Sequence, residues 1–288
     1  MQIKAGYTLT YECPKPTPML LCLSVHPSRR GDLVTPQRLS ITPDIEALDY
    51  VDSFGNVCTR IIAPAGPITL STEFIVNDSG KPDAVPIDAV QHDIQHLPDD
   101  VLLFLLGSRY CETDRLADFA WSRFADTTPG WPRVQAILDY VHNHIHFDYQ
   151  QADATRGAYG GYMDGVGVCR DFAHLALTLC RCMNIPARYC TGFLGDIGVT
   201  RVSVPMDFSG WFEVFLGDRW YIFDPSGRGI PMGFVRFGTG RDAADVAFAT
   251  IFGPVSPGLP VIGIRAVPGA DGRLEMPRHC EDAVSTDG

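Results

Sequence analysis

Cys169 follows Gly165-Val166-Gly167-Val168 and opens an apolar stripe of Phe172, Leu175, Ala176, Leu179 and Met183. That stripe repeats at helical spacing, so the thiol stands at the start of a predicted helix. A sulfur there feels the positive end of the helix macrodipole, which favours the thiolate. The first backbone N–H groups of a helix have no intrahelical acceptor. They can hold the oxyanion formed when sulfur attacks an acyl carbon. One short segment can therefore supply a nucleophile and an oxyanion hole. The competing reading is a buried structural cysteine, the commoner fate of a free thiol. Position alone leaves both readings open.

Asp224 closes the segment Trp220-Tyr221-Ile222-Phe223-Asp224-Pro225. An Asp before Pro at a strand end is often turn chemistry. Its functional reading is the carboxylate that orients the base of a Cys–His–Asp arrangement. On these residues alone the turn reading is the stronger. His142, His144 and His146 would share a face on a strand and could there hold a metal. They fall at the end of a predicted helix, where only His142 and His146 share a face, and a solvated helix end is favoured. His174, five residues after Cys169, lies about 140° round a helix from it, poorly placed as a partner. Cys180 and Cys182 form a lone C-x-C with no second pair to complete a zinc site. The glycine-rich stretch from Gly157 to Gly167 lacks the Gly-Lys-Ser/Thr ending of a phosphate loop. No metal and no organic cofactor is expected.

The elements that must position these residues divide the chain near residue 100. Before it, Ile3, Ala5, Tyr7, Leu9 and Tyr11 alternate with Lys4, Gly6, Thr8 and Thr10, as do Ile68, Leu70, Thr72, Phe74 and Val76 further on. Period-two alternation broken by Pro, Gly, Asp and Ser turns predicts a small β-sandwich. After it, Leu116, Phe119 and Ala120 sit at helical spacing with Thr113 or Asp114 as N-cap, and Val134, Ile137, Leu138, Val141 and Ile145 repeat helically after Pro132. Asn184 and Pro186 end the Cys169 helix. Trp211 to Leu216 and Trp220 to Phe223 are predicted strands of a hairpin turning at Gly217-Asp218. Beyond about residue 265 the composition turns to Pro, Gly and charge, so residues 266–288 are expected to be an irregular tail.

Composition excludes some classes. The 288 residues carry a formal charge of −11, and Lys4, Lys15 and Lys81 are the only lysines. No basic stripe marks a nucleic-acid binder, and the acidity disfavours anionic membranes. The start lacks an apolar signal core and no run approaches a membrane span. With nine cysteines, an odd number, reduced thiols in a cytoplasm are the simpler expectation. Neither a nucleic-acid nor a membrane partner is expected, and an oligomer is left open.

The stretch Gly167-Val168-Cys169-Arg170-Asp171-Phe172-Ala173-His174, with Asn184-Ile185-Pro186-Ala187-Arg188, Gly192, Trp211-Phe212-Glu213-Val214 and Trp220 through Asp224-Pro225, resembles the transglutaminase-like superfamily. The β-rich segment before it is similar to the N-terminal domain of the bacterial members. The resemblance implies an α+β fold: an N-terminal β-sandwich domain over 1–100, then a papain-like core over 101–265 in which a helix packs on an antiparallel sheet. It implies Cys169 as nucleophile and Asp224 as the acid of a triad, acting on a peptide or amide substrate by cysteine-protease, amidase or transglutaminase chemistry. The family places its His just before the tryptophan of a His-Ala-Trp-like segment. Here Ser209 holds that position, 40 residues after Cys169 and 15 before Asp224.

A serine hydroxyl has no basic nitrogen and cannot replace imidazole near pH 7. Three readings follow: another His, such as His146 or His174, supplies the base; the helix end alone forms the thiolate; or the fold binds without reacting. The first two give thiol-dependent acyl transfer and the third a binding or assembly protein. A hydrolase using Ser209 itself is disfavoured, because no Gly-x-Ser-x-Gly elbow surrounds it.

Overall fold

The computed structural model describes residues 1–79, 86–194, 206–226, 234–269 and 271–274, and the backbone of 284–285. Its first six strands are β1 (Gln2–Cys13), β2 (Thr17–Leu21), β3 (Ser40–Thr42), β4 (Ala47–Val51), β5 (Val57–Ala63) and β6 (Gly66–Asn77). β1 pairs with β6 in register from Gln2–Asn77 to Cys13–Gly66, and β5 lies between β2 and β4. The alternation read in β1 buries Ile3, Ala5, Tyr7 and Leu9 on one face, against Ile61, Ile68, Leu70 and Phe74. This is the expected sandwich.

Three-ten turns over Ile94–His96 and Asp99–Leu105 lead into α1 (Thr113–Phe124) and α2 (Trp131–His144). Thr113 begins α1 rather than capping it, since Glu112 holds the cap position. After β7 (His146–Phe147) the glycine-rich stretch forms a short helix, α3 (Ala158–Asp164), and then β8 (Val166–Gly167), which pairs parallel with β7. α4 (Cys169–Cys182) follows. Its last turn closes as a Schellman motif: Ile185 N–H donates to Cys180 carbonyl at 3.0 Å and Asn184 N–H to Arg181 at 2.9 Å, with Asn184 at φ 62.

β9 (Ala187–Phe193), β10 (Ser209–Leu216), β11 (Arg219–Phe223) and β12 (Val235–Gly240) form an antiparallel sheet in the order β12-β9-β10-β11. The β10–β11 loop is Gly217-Asp218, both at positive φ (54 and 68), which is a type I′ hairpin. α4 lies on this sheet, and its residues from Asp171 to Cys182 are buried. Phe193, Phe208, Val235 and Phe237 turn to the opposite face and join the sandwich core.

Three later strands return to the sandwich. β13 (Ala249–Ile251) pairs with β2, while β14 (Ser256–Pro257) and β15 (Val261–Val267) pair with β1. In the tail, β16 (Val284–Ser285) pairs with β11. No helix among the described residues is long and apolar enough to cross a membrane.

Candidate functional site

Cys169 is the first residue of α4, and the helix start is built around Asp171. The Asp171 carboxylate accepts from Val168 N–H at 2.9 Å, reaching back over the first turn. Arg156 and Arg170 stand 3.4 and 3.7 Å from its two oxygens. Gly167 is required by this contact, since a β-carbon there would lie 2.5 Å from Asp171 Oδ2.

Ser209 and Gly210 of β10 stand near the sulfur and favour its thiolate. They do not prevail. Burial pushes the thiol above its ordinary value, and the Asp224 and Asp207 carboxylates push the same way. The helix start therefore does not by itself give the lowered thiol expected from the macrodipole.

The strand carrying Ser209 is fixed from both sides. Ser209 pairs with Gly192 across β9, and its carbonyl accepts from Thr191 Oγ1 at 3.0 Å. Phe208, one residue before, enters the aromatic cluster of the sandwich, with ring centroids 5.7 Å from Tyr7 and 4.3 Å from Phe248. Behind the site, Glu213 is buried between Arg188 and Arg236, at 2.6 and 2.8 Å. Burial would raise its carboxyl, but the two guanidinium groups outweigh this and hold it below its ordinary value.

Asp224 follows the last residue of β11 and faces the same site. Its Oδ1 accepts from the Ser226 N–H at 3.0 Å and hydroxyl at 2.6 Å, which is the turn chemistry read in the sequence. Asp224 is thus both a turn residue and a charge acting on Cys169. Among the described residues, no imidazole is one of the groups that bear most on the sulfur. His146 is exposed on β7. His174 is buried, stacked on Tyr110 at 5.1 Å and tilted against Tyr189 at 5.0 Å, and its Nε2 accepts from Ala243 N–H at 3.2 Å. Burial holds it well below the ordinary imidazole value, so it is neutral. His144 lies between the rings of Tyr140 and Tyr162, and its Nε2 contacts the Tyr162 carbonyl at 2.6 Å. Among the described residues no cluster of His, Cys, Asp and Glu could hold a metal ion.

Sequence reasoning missed two groups here. Tyr189 is one: its hydroxyl lies against Gly210, where a β-carbon would collide with it, and its ring is close enough for the Cys169 charge to raise its phenol further, after burial. Asp207 is the other, a carboxyl raised by burial. The register of β9 against β10 places Tyr189, and no local motif announces it.

Residues 122–225 match the model of the transglutaminase-like superfamily. Over 236 residues the chain is 26% identical to an uncharacterized protein of Mycobacterium leprae, ML0607, covering 73% of this chain and 77% of that one. Its fold superposes on the crystal structure of a protein from Cytophaga hutchinsonii named as a candidate cysteine protease, with TM-score 0.77, 29% identity, and 92% and 90% of the two chains covered. The periplasmic domain of TgpA from Pseudomonas aeruginosa aligns at 12% identity and TM-score 0.38, over 78% of this chain and 90% of that domain, a likeness too slight to argue from. The chain carries a transglutaminase-like domain and has that family's α+β fold.

Proposed function

We propose that the chain performs thiol-dependent acyl transfer on a carboxamide or peptide bond, with Cys169 as the nucleophile. The observation that supports this best is the placement of the Cys169 sulfur at the first residue of α4, beside Ser209, Gly210, Asp207 and Asp224. Attack on the carbonyl forms a thioester, and the Cys169 N–H helps hold the oxyanion. The amine leaves with a proton, and water or a second amine then takes the acyl group. Ser209 and Gly210 stabilise sulfur charge but accept no proton near pH 7. Among the described residues, the nearby carboxylates Asp207 and Asp224 are the groups that can take it. The proton leaves the sulfur as the carbon–sulfur bond forms, because the resting group is a neutral thiol. A slow enzyme with an alkaline optimum follows.

A second reading, a binding or assembly protein on the same scaffold, is favoured by Ser209 and by the raised thiol. One experiment separates them. The chain is incubated with a glutaminyl peptide and hydroxylamine, and intact mass after quenching reports the acyl adduct. A Cys169 adduct with hydroxamate formation supports transamidation, and an adduct with ammonia release alone supports hydrolysis. No adduct in either the native chain or Ser209→His, both folded, leaves the binding protein.

A further inference from the structure

Away from the site, two cysteines stand directly opposite each other in the sandwich. β2 and β5 are antiparallel with Leu21 opposite Thr59, so the next pair along is Cys22 and Cys58. Their backbone groups face outward. Cys22 N–H donates to the Phe248 carbonyl at 3.1 Å, on the β13 side. On the other strand Asp52 N–H donates to Asn56 carbonyl at 3.0 Å, and counting along the β4–β5 register from that bond turns Cys58 toward Tyr50. Cys22 and Cys58 are therefore a non-hydrogen-bonded pair, the kind in which opposed α-carbons approach to about 4.5 Å. A disulfide spans α-carbons about 4.4–6.8 Å apart. Both side chains are buried in the same core cluster. Asp52 Oδ2 stands 4.0 Å from the Cys58 sulfur. Cys58 is one strand in from an exposed edge: every residue of β4 is exposed, including its partner Tyr50 at 39%.

We propose that Cys22 and Cys58 form a dithiol–disulfide couple, oxidised by low-molecular-weight disulfides of the glutathione class. Cys58 attacks first. Its sulfur, as thiolate, bonds to one sulfur of the oxidant and releases the other as a thiol, giving a mixed disulfide. Cys22 then loses its proton to solvent and bonds to the Cys58 sulfur, releasing the second small thiol. Two protein thiols are oxidised to one disulfide while the oxidant is reduced to two thiols. The order agrees with the mutual influence of the two thiols, which lowers that of Cys58 and raises that of Cys22. The closed bond ties β2 to β5 across the intervening chain, which includes β3 and β4.

The test uses the full chain, reduced, freed of reductant and exposed to glutathione disulfide under native conditions. Remaining thiols are alkylated in denaturant and the peptides mapped by mass. The expected result is a Cys22–Cys58 linked peptide, reversed by dithiothreitol, with a thermal midpoint several degrees higher in the oxidised chain. In Cys22→Ala, Cys58 should be trapped as the mixed disulfide, whereas in Cys58→Ala Cys22 should stay unmodified over the same period. A native chain that forms no such link, or a link appearing only after denaturation, overturns the couple. Equal trapping in the two variants overturns the order of attack. The mapping on the unmutated chain stands whatever the variants do to folding.

Discussion

The hydroxyl of Tyr189 rests against the α-carbon of Gly210, in the space that any side chain at 210 would occupy. The residue after Ser209 is glycine because a phenol from the neighbouring strand already fills that volume. Gly210→Ala should therefore destabilise the chain by about 1–3 kcal/mol, the usual cost of overpacking. It should also slow Cys169 chemistry, because the displaced residue is one of those that favour the thiolate. Adding Tyr189→Phe removes the colliding oxygen, so the double variant should regain part of the stability in a urea melt. A double variant no more stable than Gly210→Ala would show that the two groups do not share the space.

The thiol of Cys169 is raised by burial and by two carboxylates. A raised thiol has less thiolate at neutral pH, so its alkylation by iodoacetamide should climb with pH and reach its midpoint above the ordinary thiol value. Ser209→His places an imidazole where it can take the proton, and the curve should move to lower pH with a gain in turnover on an amide substrate. The readout is site-resolved alkylation against a Cys169→Ala control. An unmoved curve in a folded Ser209→His chain would mean that position 209 is not where a base acts.

Glu213 gives an acid limb to stability. Its folded carboxyl is held below the ordinary value of 4.5 by Arg188 and Arg236 despite burial. The unfolded state therefore takes up a proton first as pH falls. The contribution is full above 4.5 and is lost as pH drops from there through the depressed folded value. Glu213→Gln leaves two guanidinium groups facing each other without a counter-charge and should cost about 3–5 kcal/mol at neutral pH. Urea midpoints between neutral and acid pH should fall for the native chain and be flatter for the variant.

Asp171 sets the first turn of the helix that carries the sulfur. Asp171→Ala removes the acceptor of Val168 N–H and should cost about 0.5–2 kcal/mol, the range for a lost helix cap. If its task is to place Cys169, the alkylation rate of the folded variant should change by more than that stability loss would produce. Asp171→Asn keeps the oxygen and should restore most of both.

What the sequence made legible was local chemistry. Gly217-Asp218 demanded two positive φ values and so announced its hairpin, and Asn184 announced the end of α4 in the same way. Cys169 could be placed because a helix start is a short-range pattern, and Ser209 because the family resemblance fixes its distance from Cys169 and Asp224. α3 was hidden because Gly160 and Gly161 sit inside it, against every helical preference. Tyr189 and Asp207 could not be singled out because their relation to Cys169 depends on strand register and burial, which no local spacing encodes. The return of β13, β14 and β15 to the sandwich was equally invisible: residues 249–265 read as part of the second unit, yet they pair with strands more than two hundred positions away.

That return imposes an order of events during synthesis. β1 emerges before β6 and β15, yet one of its edges has no partner until β15 has been made. Until then a long strand with apolar alternate residues presents open amides and carbonyls, the arrangement most prone to recruit another chain. The nascent protein must be kept from its neighbours for as long as the segment between β1 and β15 takes to be made. A truncation before residue 261 should therefore show itself as aggregation rather than as a smaller folded protein.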